Sequence, residues 1–204
     1  MDTRRSQLAI VLPAVLAAAG CGGAGTKAPS SSSPTKPNAT TPASTSPGAL
    51  QAEAASAATG DIPDNQIYLA YRSPGGWSIK YPEGWARSGG SNATLFRDKS
   101  NVVRIVIRPG TAPTTAQVRS DSSLRQAHIS SAPAEMSIRG TRAIKVVYTT
   151  RSAPNPVTGK RVTLTVDRYY LARAHNVATI DLGTPVGVDN VDAYRLMIES
   201  FRWR

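Results

Sequence analysis

The chain has 204 residues, and its 24 Lys and Arg against 13 Asp and Glu give it a net charge of +11 at pH 7. Its one cysteine excludes an intramolecular disulfide and any zinc site built from paired cysteines. Because all twelve aromatic residues lie at Tyr68 or later, we expect one folded domain of ordinary size over residues 61–204.

The first 21 residues have the order of a secretory signal sequence. Arg4 and Arg5 form the basic start, residues 8–16 the apolar stretch, and small residues precede Cys21. The apolar stretch is shorter than the about 20 residues that span a bilayer. This order resembles a bacterial lipobox, which is cleaved between Gly20 and Cys21 and then acylated on the cysteine sulfur. An ordinary signal peptide followed by an unmodified cysteine is the alternative.

The lipobox interpretation predicts a signal peptide at residues 1–20 and a membrane-lipid anchor, of the palmitate type, on Cys21. Two acyl chains hold a protein stably at a membrane, whereas one holds it marginally. The expected location is therefore the outer, extracytoplasmic face of the cell membrane.

Residues 21–60 are expected to form a disordered tether. Ala, Ser, Thr, Pro and Gly predominate, and Leu50 is the one large aliphatic residue. So little apolar surface cannot offset the entropy lost on ordering. As a coil, the tether would reach roughly 35 Å from the anchor.

From residue 61 the pattern changes to short apolar–polar alternations broken by Gly and Pro, which predict β-strands. The first four strands are expected at residues 67–71, 77–81, 94–97 and 102–108. A helix is predicted over residues 114–130, with Val118, Leu124 and Ala127 facing inward. Four further strands are expected at residues 135–139, 143–150, 161–172 and 177–183.

The last element has the clearest helical periodicity. Asp189 is expected to cap it. The residues that share its apolar face are Val191, Tyr194, Ile198 and Phe201. Arg195 and Glu199, four residues apart, are expected to pair on the other face. Since strands predominate and short turns join them, the predicted fold class is α+β with a largely antiparallel sheet.

Two segments at the ends of this domain carry a family resemblance. Residues 76–85 read Gly-Trp-Ser-Ile-Lys-Tyr-Pro-Glu-Gly-Trp, and residues 199–203 read Glu-Ser-Phe-Arg-Trp. They resemble the PsbP-like superfamily, in which an aromatic-Ser-Ile-x-Tyr-Pro-x-Gly-Trp strand opens the domain and a helix ending in Ser-Phe closes it. With the lipobox and the tether, the chain most resembles actinobacterial lipoproteins of the LpqN/LpqT type, over residues 67–203.

The resemblance implies an α/β/α sandwich around a largely antiparallel sheet. It also implies a non-enzymatic role, because members of the superfamily are mostly subunits, adaptors or binding modules, and it offers no catalytic residue to transfer. The expected function is that of a lipid-anchored binding or adaptor protein of the cell envelope. The alternative is a carrier that holds a lipid or glycolipid in an apolar groove.

An envelope hydrolase is the least favoured alternative. His128, expected near a helix end, and His175, expected in a hairpin turn, are the two histidines, and no Gly-x-Ser-x-Gly elbow accompanies them. A hydrolase would need a serine or carboxylate within hydrogen-bond reach of one imidazole. Asp189 and Asp192 match no calcium loop. We therefore predict no catalytic residue, no metal site and no cofactor.

Charge and aromatic residues supply the remaining site hypotheses. Residues 61–204 carry 20 Lys and Arg against 11 Asp and Glu, so envelope proteins or anionic glycolipids are the expected partners; a solvated basic face is the alternative. Nucleic acid is not expected, because no nucleic-acid motif is present. Trp77, Tyr81 and Trp85 are expected in the core, and the sharper hypothesis is that they line a groove for an acyl chain or sugar.

Overall fold

The computed structural model describes residues 60–155 and 159–204. The predictions of a signal peptide, of cleavage and lipidation at Cys21 and of a tether up to residue 59 lie outside the described residues. Gly60 is buried, and its carbonyl oxygen accepts hydrogen bonds from the side chains of Asn101 and Asn190. The folded domain therefore includes residue 60, which the sequence pattern assigned to the tether.

The described residues form ten strands, two α-helices and one 3-10 helix. In chain order they are β1 (Tyr68–Ser73), β2 (Trp77–Pro82), β3 (Ala86–Gly89), β4 (Ala93–Asp98), β5 (Asn101–Pro109), α1 (Thr115–Arg119), a 3-10 helix (Ser122–Leu124), β6 (His128–Ile138), β7 (Thr141–Arg151), β8 (Thr163–Arg173), β9 (Asn176–Pro185), α2 (Val191–Ser200) and β10 (Arg202–Trp203).

Seven strands form one sheet in the order β3-β4-β5-β9-β8-β7-β6, and β1, β2 and β10 form a small sheet in the order β1-β2-β10. Every strand pair is antiparallel, so the predicted antiparallel sheet is confirmed. The sequence pattern does not predict β3 or β10. All four residues of β3 are exposed, and β10 has two residues, so neither shows an alternation.

One face of the large sheet, called the first face here, is covered by α2 and the small sheet. On β5, Val103, Ile105 and Ile107 point into this layer, as their alternation predicts. The core there also includes Trp77, Phe96, Ile180, Leu182, Met197 and Phe201. Burial of these large apolar side chains between two layers supplies most of the stability of the domain.

The opposite face, called the second face, is only partly covered. Val118 of α1 and Leu124 of the 3-10 helix pack on β7 and β8, against Ile144, Val146 and Val166. The ten-residue α2 on the first face thus has only a five-residue helix as its counterpart on the second. The domain is dominated by its sheet, and the expected α/β/α sandwich is matched only in part.

The predicted helix over residues 114–130 is wrong beyond Arg119, where α1 ends. Asp121 accepts a hydrogen bond from the backbone N–H of Ser123, 2.8 Å away, and starts the 3-10 helix. Asp and Ser side chains compete in this way with the helical bonding pattern. Strand β6 then begins at His128, which therefore lies on a strand and not at a helix end.

The predicted C-terminal helix is confirmed as α2, with two changes in its buried face. Tyr194, Ile198 and Phe201 are buried as predicted. Val191 is 68% exposed, and its expected place in the core is taken by Met197, which is fully buried. The apolar stripe is therefore rotated toward Met197, because the helix contacts β2 and also packs into the core on the large sheet.

The polar contacts of α2 also differ in detail from the prediction. Asp189 accepts a hydrogen bond from Val191 N at 3.1 Å, although Asn190 is the N-cap residue. Arg195 forms its ion pair with Asp192, three residues before it, and not with the predicted partner Glu199, four residues after it. None of the described helices is long and apolar enough to cross a bilayer.

Candidate functional site

A groove of about 420 Å³ lies on the first face of the large sheet, between α2 and strands β6–β9. Tyr194 fixes α2 beside this groove, because its hydroxyl donates a 2.6 Å hydrogen bond to the carbonyl of Gly183. The apolar wall is made of Met136, Ile138, Leu182, Pro185, Val188 and Ile198. This volume falls in the range of about 300–1,000 Å³ that is usual for small-molecule sites. We call this feature the apolar groove.

A polar cluster of three side chains lies in the wall of the apolar groove. Lys145 on β7 lies opposite Tyr169 on β8, and Lys145 Nζ is 2.7 Å from Asp167 Oδ2. The Tyr169 hydroxyl donates to the same oxygen at 3.3 Å. Lys145 Nζ also lies 5.4 Å from the centre of the Tyr169 ring, within the range of a cation–π contact. These polar groups satisfy one another, so the cluster adds few unmet hydrogen-bond groups to the wall of the groove.

The electrostatics of this cluster keep Lys145 charged. Burial works to lower the pKa of Lys145, but the hydrogen bond to Asp167 and the charges around it outweigh burial, and the pKa is raised. Burial, followed by the charge of Asp167, also raises the pKa of Tyr169. A catalytic base or nucleophile needs the opposite shift in a lysine. The cluster is therefore suited to orienting a ligand rather than to removing a proton.

A second cavity, of about 590 Å³, lies on the other side of α2, against the small sheet. Five cationic residues line it: Arg72, Lys80, Arg139, Arg195 and Arg202. Its acidic residues are Asp192, which is paired with Arg195, and Glu199. Arg139, Arg195 and Glu199 line both this basic cleft and the apolar groove. The two cavities therefore adjoin, one apolar and one predominantly cationic.

The second face of the large sheet carries a basic surface where α1 does not cover it. Arg104 and Arg108 point outward along β5. Arg97 of β4 lies on the same face, because it pairs with Val102 of β5, two residues before Arg104. The carboxylate of Asp181 on this face is already bound to a buried arginine of β8. The uncovered part of the second face, called the basic face, is thus positively charged.

The aromatic residues singled out in the sequence lie in the core. Trp77 is fully buried and stacks on Phe201, with ring centroids 6.1 Å apart. Tyr81 stacks on Phe96 at 4.4 Å, and Trp85 is 8% exposed. None of the three lines the apolar groove or the basic cleft. The residues that line the apolar groove come mostly from β6–β9 and α2.

Both histidines lie on the surface of the domain. His128 on β6 is exposed, and so is His175, which lies in the predicted turn between β8 and β9. Neither imidazole takes part in a hydrogen bond within the described part of the chain. The same residues contain no group of three or more His, Cys, Asp or Glu placed to hold a metal ion.

The comparisons with known proteins bear on the fold. No protein family and no curated protein matches the sequence of the chain. Among solved structures, the chain is similar to the solution structure of cyanobacterial PsbP (CyanoP) from Synechocystis sp. PCC 6803. That match has 16% identity and a TM-score of 0.50, over 71% of this chain and 98% of that chain.

A crystal structure from Bacteroides thetaiotaomicron VPI-5482 also matches, with 17% identity and a TM-score of 0.45 over 66% of this chain. This chain spans about half of that protein, 48% of its length. The likeness to CyanoP shows that the fold is PsbP-like, and the predicted resemblance is confirmed at that level. At such low identity the likeness concerns the fold alone.

Proposed function

We propose that this chain is a lipid-anchored, extracytoplasmic binding protein of the cell envelope, without enzymatic activity. Its PsbP-like domain binds the apolar part of an amphiphilic lipid or glycolipid in the apolar groove. The observation that carries the proposal is the groove itself, whose wall combines a set of apolar side chains with a polar cluster that satisfies its own hydrogen bonds.

The chemistry of the groove favours an alkyl chain. Each buried CH₂ group contributes about 0.8 kcal/mol to binding. Lys145 and Asp167 at the wall supply a small number of polar groups, which in ligand sites fix orientation. A soluble polar metabolite would lose hydrogen bonds to water against the apolar wall, so a long-chain amphiphile is the better fit.

Two observations support a non-enzymatic role. The pKa of Lys145 is raised, so the amine in the groove stays protonated. The two exposed histidines lie away from the groove and the basic cleft, so neither can act on a ligand bound there. A serine hydrolase would need the imidazole beside its nucleophile.

The location is proposed from the N-terminal sequence, as is the finer likeness to lipoproteins of the LpqN/LpqT type. Replacement of Cys21 by Ala tests the anchor. We expect the variant to lose incorporation of labelled palmitate and to move from the membrane fraction to the medium, because the acyl chains are its attachment. Retention of Cys21→Ala in the membrane fraction would contradict a lipid anchor.

Filling the groove tests the ligand site. Thr165 on β8 is half-buried and lines the apolar groove, so Thr165→Phe places a ring in the space for the ligand. Thr179 on β9 is also half-buried but lies on the second face, which makes Thr179→Phe the matched control. We expect Thr165→Phe to weaken Nile red binding by about tenfold or more, and Thr179→Phe to leave it unchanged.

Native mass spectrometry of the same three proteins gives a second readout. A lipid that copurifies with the wild type and with Thr179→Phe, but not with Thr165→Phe, supports the proposal. Equal Nile red binding by all three folded proteins would show that the apolar groove is not the site. Urea unfolding of each variant confirms that it is folded before the affinities are compared.

A second candidate function is that of an adaptor for an acidic envelope protein, which the basic face favours. The exposed Arg108 and the half-buried Arg97 form no ion pair with Asp181, which is bound by Arg168 and lies 3.8 Å from Arg104. Crosslinking in intact envelopes compares the wild type with Arg97→Gln/Arg108→Gln. Loss of a crosslinked partner in the variant supports an adaptor, and an unchanged set of crosslinks contradicts binding through this face.

A further inference from the structure

We infer that the ligand of the apolar groove has an anionic head group, a phosphate or carboxylate, and that Arg139 binds it. This inference rests on the proposed function, since it takes the alkyl chain to lie in the groove and adds the chemical class of the head group. It is based on three features of Arg139: its location between the two cavities, its charge without an ion-pair partner among the described residues, and its backbone conformation.

Arg139 stands where the two cavities meet. It lines both the apolar groove and the basic cleft, and its side chain is exposed there. An amphiphile whose chain occupies the groove would bring its head group to this junction. Arginine suits phosphate and carboxylate because its planar guanidinium donates two parallel hydrogen bonds to either anion.

Arg139 is also the cation at this junction whose charge is not already engaged. Lys145 in the groove is paired with Asp167, and Arg195 is paired with Asp192. Within residues 60–155 and 159–204, no carboxylate pairs with Arg139. Glu199 lines the same junction and opposes an anion there, but Arg139, Arg195 and the other cations of the basic cleft outnumber it. The site therefore retains positive charge for a ligand.

The backbone of Arg139 favours a different residue. Arg139 and Gly140 form the two-residue turn between β6 and β7, because Ile138 pairs with Thr141. Their φ angles are +48° and +83°, the combination for which a hairpin turn prefers Asn-Gly. A positive φ is unfavourable for an arginine, because it brings the Cβ atom too close to the backbone carbonyl oxygen. A side chain that costs stability at the junction of two cavities points to a role in binding.

The conformation alone does not carry the inference, because two other residues share it. Lys99 and Ala174 also have positive φ in hairpin turns, and neither lines the apolar groove or the basic cleft. What distinguishes Arg139 is that the strained position, the unpaired charge and the junction of the cavities coincide. Ala174 is therefore a control for the effect of the turn without the site.

Changing Arg139 to Asn removes the charge from the site and keeps a residue type that suits the turn. The probes are dodecyl phosphate and dodecyl maltoside, which share an alkyl chain, and their binding to the mature protein is measured by calorimetry below micelle formation. We expect the wild type to prefer dodecyl phosphate. Arg139→Asn should weaken dodecyl phosphate binding by about tenfold, leave dodecyl maltoside binding unchanged, and keep or raise the melting temperature, because Asn suits the turn.

Three controls sharpen the result. Ala174→Asn places a residue that tolerates positive φ in a turn outside the site, and it should change neither affinity. Arg173→Asn removes an exposed positive charge that lines neither cavity, and it should leave dodecyl phosphate binding unchanged. Glu199→Gln removes the opposing charge, and it should strengthen dodecyl phosphate binding.

The outcomes distinguish this inference from the proposed function. Equal binding of both detergents by the wild type, or equal loss in Arg139→Asn and Arg173→Asn, overturns the anionic head group at Arg139 while the groove remains a lipid site. Failure of both detergents to displace Nile red from the wild type overturns the groove as the lipid site, and the inference fails with it.

Discussion

Arg168 and Asp181 face each other on neighbouring strands β8 and β9 and form a two-point ion pair on the second face of the sheet. Arg168 Nε lies 2.5 Å from Asp181 Oδ1, and Nη2 lies 2.9 Å from Oδ2. Both residues are buried, at 4% and 6% exposure. Arg168 also donates to the hydroxyls of Ser123, at 2.6 Å, and Tyr148, at 3.1 Å. The pair thus ties the 3-10 helix to the sheet.

Removal of Asp181 takes away the closest counterion of the buried Arg168 and leaves Asp121, 3.7 Å from Arg168 Nη1, as the remaining carboxylate beside it. We predict that Asp181→Ala lowers the free energy of unfolding by about 3–5 kcal/mol, measured by urea denaturation at neutral pH. Asp192→Ala is the control, because its ion pair with Arg195 is exposed and is expected to contribute at most about 1 kcal/mol. Equal losses in the two variants would show that the buried pair is not held as described.

The buried tyrosines make the stability of the domain sensitive to alkaline pH. Burial, followed by the charge of Asp181, raises the pKa of Tyr148 to about 12. Burial also raises the pKa of Tyr170 and of Tyr194. Because these folded-state pKa values lie above the unfolded value of about 10, the stability that the protonated phenols contribute is complete below pH 10 and is lost as the pH rises through the folded values.

We therefore predict that the free energy of unfolding falls steadily from about pH 10 to pH 12, and that the slope is smaller in Tyr148→Phe. The ultraviolet absorbance of phenolate should appear at higher pH in the native protein than in the protein unfolded by urea. Identical slopes for the wild type and Tyr148→Phe would contradict the raised pKa of Tyr148.

The strand pattern of this domain is predictable where only one face of a strand is covered. On β5, buried Val103 and Ile105 alternate with exposed Arg104 and Arg108, and the observed strand agrees with the sequence pattern. On β7 the same alternation is less informative. Lys145 lies on the face of β7 that the sequence alternation marks as polar, but α2 and the groove wall partly cover that face. Alternation shows which residues share a face, but it does not show what covers the face.

The candidate site is harder to predict because its residues come from separate segments. Lys145 meets Tyr169 through the register of β7 and β8, which local sequence does not determine. Arg139 is the first residue of the turn between β6 and β7, where Asn is usual, so Gly140 is the one residue of that turn whose type predicts it. Trp77 and Trp85 attract attention in the sequence because large aromatics are distinctive, but their size favours the core.

A buried polar network fixes the first described residues beside the N-terminus of α2. Asn190 is 3% exposed, and its Oδ1 accepts a hydrogen bond from Ile62 N at 2.8 Å. Its Nδ2 donates to Thr184 Oγ1 at 2.8 Å and to the Gly60 carbonyl at 3.2 Å. Asn190 also lines the apolar groove. One amide side chain thus links the start of the domain, β9 and the groove.

Replacement of Asn190 by Ala removes these partners and leaves several buried polar groups unsatisfied, each at a cost of about 1–3 kcal/mol. We predict a loss of roughly 2–4 kcal/mol in the free energy of unfolding. Limited proteolysis should show new cleavage near residues 60–66 before the rest of the domain is cut, because the backbone of Gly60 and Ile62 loses its attachment. Asn65→Ala, at an exposed position of the same segment, should change neither measurement. A proteolysis pattern shared by Asn190→Ala and the wild type would mean that other contacts hold this segment, and that the network is not its main attachment.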